Sequence, residues 1–184
     1  MRTVTVKLES ISAYSQSRLH ESKRKKDEEW DTFEERIWKE KAHYTEDGHV
    51  FIPQFALKQA IDAASRYLGK IGGKGNATWT KHFVGGVVIS DSIVLPIKAD
   101  DLTPVWINAH SNGKRGSGSR VRRCFPVIPK WAGEFKCIIL AEEITKDAFA
   151  QALELAGSLI GIGRFRPENG GNNGRFVTKS IAWS

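Results

Sequence analysis

Polar and apolar positions alternate from residue 3 to residue 11: Val4, Val6 and Leu8 fall on one side, and Thr3, Thr5, Lys7 and Glu9 on the other. A period of two predicts a strand with one buried face. It runs into a polar exit that holds Tyr14, Gln16, Arg18 and His20, then into the charge run ESKRKKD, which reads as solvated. Over residues 28–41 the period lengthens, and Trp30, Phe33, Ile37 and Trp38 form one apolar helical stripe suited to core or subunit contact. Asp47-Gly48 signals a turn and HVFI a short strand. Pro53 then opens a helix with Leu57, Ile61, Ala64 and Leu68 on its buried face, and Gly69 closes it.

The apolar, β-branched stretch HFVGGVVISDSIVLPI predicts one or two buried strands broken at Ser90-Asp91. Residues 98–123 follow no clear period and are expected to be irregular. RCFPVIP and EFKCIILAEEI are expected to be strands, with a break over residues 130–133. Another helical pattern follows, with Phe149, Ala152, Leu153, Ala156, Leu159 and Ile160 on one face, Thr145 as its N-cap and Asp147 in its first turn. A glycine-rich loop comes next, and residues 176–183 close the pattern as a strand. On a period of two, that strand puts Phe176, Thr178 and Ser180 on one face and Val177, Lys179 and Ile181 on the other.

Without its insertions this order is β-α-β-β-α-β, the split unit of ferredoxin-like folds, also called RRM-like. The expectation is an α+β fold forming a single domain, with a helical insertion over residues 21–50 and a basic insertion over 98–123.

Charge narrows the partners. The 184 residues carry a net charge of +7, which favours a polyanion, nucleic acid before an anionic membrane. No apolar run is long enough to span a membrane, and MRTVTVKLES lacks a secretory apolar region. Cys124 and Cys137 have no metal-ligand or disulfide spacing and read as buried thiols of a reducing cytoplasm. No metal or cofactor is expected.

The basic residues cluster. The glycine-rich loop holds Gly161, Gly163, Gly170, Gly171 and Gly174 with Arg164, Arg166 and Arg175, against a single acid, Glu168. Glycine lets a backbone approach a ligand, and arginine pairs with phosphate. The plainer reading is a solvated turn between helix and strand. The loop is no nucleotide fingerprint, because its glycines follow a helix, and no phosphate-loop motif occurs in the chain. Residues 110–123 hold Lys114, Arg115, Arg120, Arg122 and Arg123 without an acid. Such a loop suits a finger that orders on nucleic acid, or is simply solvated. Lys74 lies in a second glycine-basic stretch. Tyr14 and Arg18 are placed beside bound polymer, and Tyr14, Trp79 or Phe165 could stack on bases.

In TVTVKLES, DAFAQALELAGSLIGIGRF and RFRPENGGNNGRF the chain resembles the RAMP superfamily, the repeat-associated proteins of CRISPR effector complexes. It looks most like the backbone subunit that polymerises along guide RNA. The resemblance implies an RRM-like core, a thumb hairpin inserted near residues 110–123, and a glycine-rich loop near the RNA. The implied partners are single-stranded RNA, with DNA as the alternative, and either like subunits or a ribonucleoprotein complex. The implied setting is cytoplasmic antiviral defence. The chain is short for such a subunit and its loop is richer in arginine and asparagine, so a stand-alone phage or mobile-element relative that interferes with an effector complex stays open.

Catalysis is not expected. His20, His43, His49, His82 and His110 supply possible bases, with His20 or His43 the choice for a RAMP-like endoribonuclease. No acid–base or metal-ligand spacing selects among them.

Overall fold

The computed structural model describes residues 1–110 and 119–184. Lys114 and Arg115 lie outside them. In chain order the elements are β1 (Arg2–Ser10), β2 (Tyr14–Ser15), α1 (Trp30–Ile37), β3 (His49–Ile52) and α2 (Gln54–Ser65). Next come α3 (Thr80–Gly86), β4 (Val87–Ile89), β5 (Ile93–Lys98), β6 (Thr103–His110) and β7 (Arg120–Ile128). The chain ends with β8 (Ala132–Ile139), α4 (Lys146–Leu155) and β9 (Phe176–Trp183).

The central sheet has four antiparallel strands in the order β4-β8-β1-β9. With α2 and α4 between them, β1, β4, β8 and β9 form the β-α-β-β-α-β unit of a ferredoxin-like α+β fold. Val4, Val6 and Leu8 alternate inward and are buried with Phe135, Cys137 and Ile139 of β8. They share one core with Leu57 and Ile61 of α2 and Phe149 and Leu153 of α4. Thr145 caps α4 as expected, its hydroxyl accepting the Ala148 N–H at 3.1 Å. Both cysteines are free and buried, and burial pushes the Cys137 thiol up to about 12.

Three elements depart from the expected pattern. Residues 80–86 form helix α3 rather than a strand. Lys58 of α2 donates to the carbonyls of Val84 and Phe83, the latter also accepting the Val87 N–H. Residues 103–110 and 120–123 of the stretch expected to be irregular are instead in the strands of a β-hairpin: β6 and β7 pair from Thr103↔Val127 to His110↔Arg120. In β9 the pairing runs from Leu8↔Thr178 to Lys7↔Ser180, so Lys179 is an extra, bulged residue. The bulge flips the alternation. Phe176 and Thr178 therefore share a face with Ile181 and Trp183, which sit opposite the buried Val6 and Val4.

The helical insertion packs against β7, midway along its pairing with β6. Its anchor is Glu34, whose side chain is fully buried. The Glu34 carboxylate accepts from Lys41 Nζ at 2.5 Å, Arg123 Nη1 at 2.7 Å and the Cys124 N–H at 2.8 Å. Burial alone would raise its pKa, but these donors hold it below the usual carboxylate range.

Candidate nucleic-acid interface

The outer face of the sheet is not a stacking platform. The residues that β1 and β8 turn outward are Thr3, Thr5, Lys7 and Glu9, opposite Ile138, Lys136, Glu134 and Ala132, with no aromatic ring among them. RRM domains that stack bases on the sheet do so with aromatic residues at its centre. The concave surface lies elsewhere: a cleft of about 970 Å³ between the glycine-rich loop, the start of α2 and the end of β6.

The loop forms one wall. Helix α4 widens into a π-turn over Ala156–Ile160, and the chain then reverses at Gly161, φ 70°. Backbone bonds hold the loop beyond this reversal. Ile162 donates to Gly174 at 3.0 Å, Arg164 to Ser15 at 2.8 Å, and Gly174 to Ala13 at 2.7 Å. Gly163 has φ 73°, and a Cβ there would lie 2.4 Å from both the Ser15 carbonyl and the Tyr14 ring. At Gly171 a Cβ would fall 1.8 Å from the Phe165 carbonyl. Chain packing on chain requires these two glycines, and both also line the cleft. Gly170 also turns left-handed, φ 75°, and lines the cleft.

The arginines divide by what they touch. Arg164 lines the cleft, its guanidinium 4.2 Å from the Phe125 ring centroid and 5.1 Å from that of Phe165. Burial, followed by repulsion from Arg123, lowers its pKa, yet arginine keeps its charge. No carboxylate pairs with it among the described residues. Arg166 also lines the cleft but pairs with Glu168 at 2.8 Å. Arg175 donates to the Ser158 carbonyl and so caps the end of the α4 turn. On the hairpin, Arg122 pairs with Asp31 at 2.5 Å and lies over Trp106, while Arg123 is held by Glu34. Arg120 is exposed at the start of β7. Arg18 is exposed and lies over Tyr44, and Lys74 faces Glu143 at 3.6 Å.

None of the aromatics expected to stack has a free ring. Tyr14 is 2% exposed and packs edge-on against Trp131 at 6.3 Å, so it forms floor rather than platform. Phe165, held at φ 60°, meets Phe125 edge-on and lies under Arg164. Trp79 packs against Phe83 of the core. Three further side chains that line the cleft are not among those the sequence marks: Phe55 and Gln59 of α2, and Asn108 of β6. Four residues separate Phe55 from Gln59, one helical turn, and that spacing on the polar side of α2 is the available signal.

The histidines are dispersed. His20 packs against Phe33, His49 pairs with Asp47, and His82 faces Glu143. His43 and His110 both line the cleft. Burial, and then the charge of Arg18, holds His43 below the usual histidine range. Among the described residues no group of three or more histidine, cysteine or acidic side chains could hold a metal ion. No helix among them is long and apolar enough to cross a membrane.

No family model matches the chain, and no curated protein matches it in sequence. Among solved structures, it is similar to a chain in the cryo-EM structure of the Type III-B Cmr-beta bound to cognate target RNA, with a TM-score of 0.56 and 16% identity. The match covers 99% of this chain and 60% of that one, so this chain spans about 60% of its neighbour's length. At that identity the likeness is one of fold: the chain shares its ferredoxin-like α+β architecture with that neighbour.

Proposed function

We propose that the protein binds single-stranded RNA along the cleft, mainly through the phosphate backbone, as a subunit of a ribonucleoprotein of the CRISPR-associated RAMP type. The observation that carries this reading is Arg164. A guanidinium that is partly desolvated, braced on two rings and unpaired with any carboxylate is a ready partner for a phosphate. Its surroundings add to this: Lys41 and Arg123 both pair with one acid, Glu34, which reaches Arg164 only as a more distant charge, leaving the cluster net positive. The exposed Arg18 and Arg120 supply further phosphate contacts. Backbone contacts fix register without reading sequence. RNA is chosen over DNA on the strength of the fold neighbour, which is bound to RNA. Assembly of like subunits along the strand and a cytoplasmic setting belong to the same proposal.

The protein holds RNA in this reading and does not cut it. An endoribonuclease is the second reading, favoured by His43, whose imidazole lines the cleft and stays largely uncharged at neutral pH. The absorbance ratio of freshly purified protein at 260 and 280 nm, before and after nuclease, tests retention of nucleic acid. Labelled RNA recovered intact after incubation supports binding alone. Protein-dependent cleavage that is lost in His43→Ala replaces it with the endoribonuclease.

A further inference from the structure

We propose that the start of α2 forms a nucleobase subsite, in which one base splayed out of the strand stacks on Phe55 while the side-chain amides of Gln59 and Asn108 meet its edge. The inference rests on the reading of the cleft as the path of a single strand. Arg164 accounts for the phosphates in that reading, and nothing in it yet accounts for a base.

Phe55 is the second residue of α2 and 54% exposed. The ring lines a concave site beside Arg164, where its exposed face is available to stack on a base. The ring is held in place from one side. His43 meets it edge-on at 6.0 Å, and His43 in turn lies 5.5 Å from Phe51. Gln16 ties the backbones of these two residues together, because its Oε1 accepts the His43 backbone N–H at 2.5 Å and its Nε2 donates to the Phe51 carbonyl at 2.7 Å. The His43 ring thus braces one side of the stacking surface and lowers the cost of ordering it.

The polar groups suit a base rather than a second phosphate. Gln59 lies one turn beyond Phe55, and Asn108 reaches the cleft from β6; both are exposed to it. A neutral amide offers both donor and acceptor, the pattern found on base edges, whereas phosphate offers acceptors alone. Single-stranded RNA is read in this manner, by bases stacked on aromatic rings and hydrogen-bonded along their edges. An apolar peptide would leave both amides unpaired.

The test measures fluorescence polarisation of labelled single-stranded RNA with wild type, Phe55→Ala and Phe55→Trp over a salt series, and with an otherwise identical strand of abasic units. Phe55→Ala is expected to weaken binding of the intact strand by about five- to 150-fold, the span given by losing one stacked base. Its salt slope should match wild type, because a phenyl ring neutralises no phosphate. Phe55→Trp should bind at least as well as wild type, and the abasic strand should bind wild type and Phe55→Ala alike. Equal binding of the intact strand by wild type and Phe55→Ala, with a normal salt slope, overturns the subsite and leaves the phosphate reading standing. An equal loss on the abasic strand also overturns it, by showing that Phe55 acts through packing. Absence of wild-type binding at low salt overturns both readings.

Discussion

Arg123 donates to the buried carboxylate of Glu34 at 2.7 Å, tying β7, midway along its pairing with β6, to the helical insertion. The same carboxylate also holds Lys41 and the Cys124 N–H. One acid thus fixes the position of β7, and β7 carries Phe125, the ring on which Arg164 rests. The insertion is in this way a brace for the cleft.

Glu34→Ala is expected to destabilise the protein by about 3–5 kcal/mol, because it leaves the buried Lys41 ammonium without its counter-charge. Urea unfolding monitored by tryptophan fluorescence measures the loss. A change within experimental error would show that the network is incidental.

The same carboxylate predicts acid sensitivity. Glu34 has a lower pKa folded than unfolded, so its contribution is complete above the ordinary carboxylate range and is lost as pH falls below that range. Thermal midpoints of wild type should fall over that window more steeply than those of Glu34→Gln, whose amide does not titrate. Parallel curves for the two proteins would contradict the assignment.

Tyr14 separates floor from platform. Tyr14→Ala is expected to cost about 3–5 kcal/mol of stability, the range for deleting a large buried ring. Tyr14→Phe should leave RNA affinity unchanged. A large affinity loss in a stably folded Tyr14→Phe protein would return Tyr14 to the binding surface.

Gly163→Ala should destabilise by about 1–3 kcal/mol or more, since it combines strain at positive φ with a Cβ against Ser15 and Tyr14. Chemical denaturation tests this directly. A neutral outcome would mean that the loop shifts freely and that its backbone bonds do not position Arg164.

Much of the core is legible because burial on one side leaves a period in the sequence. Val4, Val6 and Leu8 on β1, and Phe149, Ala152 and Leu153 on α4, announce their elements in that way. β6 does not, since Thr103, Val105 and Asn108 are all exposed and two-sided exposure leaves no alternation. α3 is obscured because it is short and buries only Phe83 and Gly86, too few positions to show a helical period. The inversion within β9 comes from the single bulge at Lys179, which alternation cannot anticipate.

The site is legible in part. Arg164 is marked by its company of glycines, but sequence alone gives it the same weight as Arg166 and Arg175, whose guanidinium groups meet Glu168 and Ser158. Glu34 sits in a charged helix and reads as solvent-facing, although it is fully buried. Phe55 escapes a reading by periodicity because it falls outside the buried stripe of α2. Only the packing of β7 beneath the loop separates these roles.

The most direct test of the account is the salt dependence of RNA binding by wild type and Arg164→Ala. Polarisation of a labelled single strand over a salt series should give a linear log–log plot for wild type, with about −0.7 of slope for each phosphate contacted. Arg164→Ala should bind at least about tenfold more weakly, as expected for losing a charge-assisted hydrogen bond, and its slope should be shallower by about 0.7. A flat wild-type response, or an Arg164→Ala protein with wild-type affinity and slope, would contradict the claim that this guanidinium holds a phosphate of the bound strand.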